Sequence, residues 1–114
     1  MASFTVAQAR ETLAQLRPVL DAVVAVRADA AELTAAVRGG APATPLGGLP
    51  ELKAAQARLD ELLTTVEETG AQVKGLAPLL VDFPGQLDGV DVLLCWVEGE
   101  PELGWYHRAD LGFP

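Results

Sequence analysis

The sequence is poor in the residues on which most active sites depend. It has one cysteine and one histidine in 114 residues. No disulfide can close within such a chain, and a single Cys suits a reducing compartment, so a cytoplasmic protein is expected. Aromatic residues make up only 5% of the chain, which leaves Ala, Leu and Val to build the core. No apolar run approaches the roughly 18 residues of a membrane span. The first residues lack a basic segment followed by an apolar core, so no secretory signal is expected. Basic residues are also scarce. Eight Lys and Arg stand against 16 Asp and Glu, for a net charge of -8. Such a surface repels phosphate backbones and anionic headgroups, so neither nucleic acid nor a membrane is an expected partner.

What the chain does contain reads as one domain, residues 1–114, with a modest core. The expected fold class is α+β: a long antiparallel helical hairpin followed by a small antiparallel β-meander. The first helix is expected over residues 4–38. Thr5 and Gln8 have the spacing of a capping box, with Phe4 placed to staple the entry. Leu13, Leu16, Leu20 and Val23 repeat at helical spacing, and Val26, Ala30, Leu33 and Val37 continue the stripe. Pro18 lies inside it and predicts a kink near residues 15–18 rather than a stop. A loop follows at 39–49, and a second helix at 50–69, opened by Pro50 and closed by Gly70. There Leu52, Ala55, Leu59, Leu62 and Val66 keep a heptad spacing, as in a coiled-coil seam. From Pro18 to Val26 the only polar residue is Asp21. A helix apolar on all sides asks for more than one partner, so a homodimer through the helices is expected.

After Gly70 the composition turns to short runs with strand character, and residues 70–114 are expected to form a β-sheet cap. Strands are expected near Ala71–Leu76, at 79–83 with a stop at Pro84-Gly85, at 90–97 and at 104–108. The run Val90 to Val97 is apolar on both faces, which places it centrally. A turn centred on Pro101 puts Cys95 opposite His107, and a slip of one residue puts Trp96 there instead; composition does not choose between these registers. Leu111-Gly112-Phe113-Pro114 forms an apolar tail.

The combination Val81-Asp82-Phe83-Pro84, Leu94-Cys95-Trp96, Gly99-Glu100-Pro101-Glu102 and Trp105-Tyr106-His107 resembles the bacterial domain-of-unknown-function family 2203. Phe4-Thr5 and Leu16-Arg17-Pro18 are similar too, so the resemblance covers nearly the whole chain. It implies a helical hairpin followed by a small sheet, and no activity. The chain departs from the family pattern at Trp105-Tyr106, where Tyr-Trp is frequent, and the exchange moves the indole to the other strand face.

Chemistry must then come from the C-terminal part. His107, Glu100 and Asp82 are the candidate metal ligands, and Cys95 paired with His107 would favour zinc. None of them falls into a recognised ligand spacing. The plainer reading is a solvated turn, a sheet histidine and an Asp82 that locks the turn before Pro84. Trp96, Trp105 and Cys95 are candidates for lining a ligand pocket, although Trp residues in such a place more often form the plug between sheet and helices, which is the favoured reading for Trp96 and Trp105. A Cys95–His107 nucleophile is disfavoured because Cys95 lies in a buried-looking strand. The leading expectation is a non-enzymatic interaction or scaffold protein that self-associates through its helices. The alternative is a small metal-binding protein with a divalent ion, zinc by preference, in the C-terminal sheet.

Overall fold

The structure, a computed structural model, describes residues 3–40 and 44–108, with only the backbone of Trp105 and Arg108. The expected tail 111–114 lies outside the described residues. Helix α1 spans Val6–Arg38 and helix α2 spans Leu49–Glu67. Strands β1 (Gln72–Leu76), β2 (Leu79–Leu87), β3 (Val90–Val97) and β4 (Trp105–Arg108) form one antiparallel sheet in the order β1-β2-β3-β4. Two helices followed by a four-stranded antiparallel sheet make the fold α+β. Among the described residues, no helix is long and apolar enough to cross a membrane.

The local signals act where the sequence puts them. Thr5 N–H donates to Gln8 Oε1, and Gln8 N–H donates to Thr5 Oγ1, each at 3.0 Å. This reciprocal box satisfies two of the donors a helix start leaves open. Helix α1 runs through Pro18 without a break, although Pro18 offers no N–H to the carbonyl four residues back. Helix α2 opens at Gly48, whose carbonyl accepts from Leu52 N–H while its N–H donates to Glu51. Gly70, at φ 98°, takes the left-handed conformation that ends the second helical segment.

The chain divides into two compact units. One is residues 18–65, a helical hairpin built from the rest of α1 and most of α2. Its buried side chains are Leu20, Val23, Leu33, Leu52 and Leu62, which belong to the two apolar stripes read from the sequence. The charged residues off the α2 stripe, among them Lys53, Arg58, Asp60 and Glu61, are exposed.

The other unit is discontinuous, joining residues 3–17 to residues 66–108. Its core is one face of the sheet against the start of the chain. Val81, Phe83, Leu94 and Trp96 are buried there with Leu13 and Leu16. Phe4 meets Phe83 edge to face, with ring centroids 5.3 Å apart. Arg17 lies over the Trp96 ring at 5.2 Å. Its guanidinium also donates to the carbonyls of Glu100 and Pro101, at 2.8 and 2.6 Å. Trp96 Nε1 donates to the same Glu100 carbonyl, so one residue pair clasps the β3–β4 connection.

Strand β2 does not stop at Pro84-Gly85 as the sequence suggested; it continues to Leu87. The reason is a partner far away in the chain. Beyond Asp82 strand β1 has ended, and Phe4 takes its place along the β2 edge. Pro84 cannot donate, but its carbonyl accepts from Phe4 N–H at 2.7 Å, so the missing donor faces an edge where none is needed. Gly85 is required at this crossing, because a Cβ there would meet the Phe4 carbonyl oxygen at 2.5 Å.

Candidate metal centre

The other face of the sheet brings together three chemically active side chains. In the register of β2 on β3, Asp82 lies opposite Cys95. In that of β3 on β4, Leu93 lies opposite His107 and Cys95 opposite Trp105. Neither register weighed from the sequence occurs, because the pairs of β3 with β4 centre on Glu100 rather than on Pro101. The slip relative to the first of them is two residues. Side chains alternate with period two, so His107 keeps the face of Cys95 and moves to the diagonal position.

The result is a cluster of Asp82, Cys95 and His107 from three adjacent strands. One ligand atom from each lies within 4.8 Å of the other two. His107 Nε2 and Asp82 Oδ2 are 3.8 Å apart. Asp82 is 2% exposed, Cys95 0% and His107 8%. A carboxylate buried to this degree should have both oxygens hydrogen-bonded. Asp82 Oδ1 has no hydrogen-bond partner among the described residues.

The thiol is held protonated in this setting. Burial is the main cause of a strong upward shift of its pKa, and the neighbouring Asp82 carboxylate adds to it. Glu100 contributes least. Cys95 Sγ also lies 3.4 Å from the Leu93 carbonyl, to which it donates. A bound cation would reverse this balance, since a coordinating thiol is deprotonated by the ion's own charge.

The donor set fits a divalent transition ion. Imidazole, thiolate and carboxylate are all zinc ligands, with bonds of about 2.0–2.3 Å. A tetrahedral ion with such bonds spaces its ligands about 3.3–3.8 Å apart. The His107–Asp82 pair, at 3.8 Å, stands at the outer edge of that spacing, and binding asks the widest pair to close to about the same range. Three protein ligands leave one tetrahedral position for water or another ligand.

The remaining candidates lie elsewhere. Glu100 is not in the cluster. Its carbonyl receives Arg17 and Trp96, and its carboxylate lies against Gly104. Trp96 is buried on the opposite sheet face, under Arg17, while the Trp105 side chain lies outside the described residues. Asp82 sits in mid-strand and closes no turn. Glu98 does serve a turn: its carboxylate accepts from Leu79 N–H, and its own N–H donates to the Leu79 carbonyl. Arg17 is the residue whose role the sequence reading missed. Its one signal was a cation at a helix position bordered by Leu16 and Pro18, and nothing local revealed the loop carbonyls it binds.

The family described as Uncharacterized conserved protein (DUF2203) matches residues 2–114. No curated protein matches the chain, and no solved structure does.

Proposed function

We propose, for a chain that belongs to the DUF2203 family, that it binds a divalent transition-metal ion, zinc by its donor chemistry, through Asp82, Cys95 and His107. The observation that carries this reading is the buried Asp82 Oδ1, which lacks a hydrogen-bond partner among the described residues beside a thiol and an imidazole. An unpaired buried carboxylate oxygen costs about 1–3 kcal/mol or more, and a cation in the cluster removes that cost. The ion would join β2, β3 and β4 directly. Strand β4 has four residues, so a shared ligand is a substantial addition to its few hydrogen bonds. Metal analysis of protein refolded with zinc tests the reading, with about one ion expected per chain. Cobalt substitution should add a thiolate-to-metal absorption that Cys95→Ser removes, and His107→Ala should weaken binding by about tenfold or more. Absence of stoichiometric metal in the wild-type chain would refute it.

A second reading, an interaction scaffold that pairs through its helices, is favoured by the apolar run Pro18 to Val26. Within it Val19, Val24 and Val26 are only half-buried and Ala25 is exposed. Light scattering over a dilution series decides it, and a monomer at every concentration removes it.

A further inference from the structure

The sheet face opposite the cluster carries a two-lobed groove along the start of α1. The first lobe, of about 260 Å³, is lined by Leu13, Ala14 and Leu103 together with Arg10, Arg17 and Glu102. The second, of about 250 Å³, has Leu87, Leu94 and Leu103 as its floor, with Tyr106 and again Arg10 at its side. Arg10 and Leu103 are thus common to both lobes. Each lobe is a little smaller than the roughly 300 Å³ at which ligand sites begin, and the lining is of the usual kind, mostly apolar with a few polar groups.

Charge decides what such a groove would hold. The chain as a whole carries a net charge of -8, yet the groove presents two guanidinium groups against one carboxylate. Arg17 already donates to the Glu100 and Pro101 carbonyls. Arg10 has no hydrogen bond or ion pair among the described residues, in a protein with twice as many acidic as basic side chains. A guanidinium is built for bidentate recognition of a carboxylate. The leucines on either side of it offer an apolar body somewhere to lie, and Tyr106, 56% exposed, flanks the second lobe.

We infer that this groove binds a small amphiphilic monocarboxylate, its carboxylate paired with Arg10 and its apolar chain laid over Leu103 into one of the lobes. The inference uses none of the residues of the metal cluster and stands or falls apart from it. Titration calorimetry of the full chain with octanoate, 1-octanol and octylammonium tests it, on wild type and on Arg10→Gln. Octanoate should bind at least about tenfold more tightly than either analogue, and Arg10→Gln should abolish that preference while leaving octanol unchanged. Arg10 is exposed, and an unaltered thermal melt of the variant confirms its fold. Equal affinity for acid and alcohol would make the groove a plain apolar crevice and overturn the proposal. So would a preference for octylammonium, an octanoate affinity indifferent to Arg10→Gln, or no binding at all.

Discussion

The two faces of the sheet solve opposite problems with the same strands. Toward the start of the chain, Val81, Phe83, Leu94 and Trp96 meet Phe4, Leu13, Leu16 and Arg17, and each polar atom named there has a partner. On the reverse, Asp82 and Cys95 are as deeply buried, yet one carboxylate oxygen has no hydrogen-bond partner among the described residues and the thiol is driven away from ionisation. Burial therefore has different meanings on the two sides. On the first it reports packing that stabilises; on the second it reports polar groups kept out of water at a cost, which is the usual mark of a functional group rather than a structural one.

The contrast can be broken by substitution. Trp96→Ala should lower stability by about 3–5 kcal/mol in urea titration, because it removes a fully packed indole and the hydrogen bond to Glu100. Asp82→Leu, measured on metal-free protein, should cost less than about 1 kcal/mol or stabilise, since it replaces a poorly satisfied buried carboxylate by an apolar side chain of similar volume. A loss for Asp82→Leu as large as that for Trp96→Ala would erase the distinction between the faces.

The pH dependence sharpens the same comparison with a smaller effect. The Cys95 pKa is raised from its ordinary 9.0, chiefly by burial. Below 9.0 both folded and unfolded chains hold the thiol proton, and the cysteine adds no pH dependence. Above 9.0 the unfolded chain loses that proton first, so stability should fall as pH rises. In metal-free protein the urea midpoint should drop between about pH 8 and 10.5, and Cys95→Ala should flatten that slope. An unchanged slope in the variant would show that the thiol is not shielded as described.

Those parts of the fold that depend on neighbours in sequence were legible. The Thr5–Gln8 box, the helical stripes, the Gly70 terminator and the central place of Val90 to Val97 all follow from residues a few positions apart. The end of β2 was not, because the partner that lets the strand pass Pro84 is Phe4, about eighty residues earlier. The register of β4 was not, because its pairs centre on Glu100 rather than on Pro101, and no residue type in the turn marks that difference. The candidate site was legible in part. Asp82 and His107 could be named as candidate ligands from residue type alone, and Cys95 as their zinc-favouring neighbour. Their convergence depends on three strands lying side by side, and no spacing in the sequence encodes that. Glu100 looked equivalent to them in composition, but its carboxylate lies against Gly104 instead.

The discontinuity of the sheet-bearing unit has a consequence for synthesis. Residues 3–17 leave the ribosome well before the strands that cover them, which are complete only when Val97 has followed. Throughout that interval Phe4, Leu13 and Leu16 wait uncovered. A nascent chain of this protein is thus most vulnerable at residues 3–17, and a fragment cut short before β3 would carry that segment uncovered permanently.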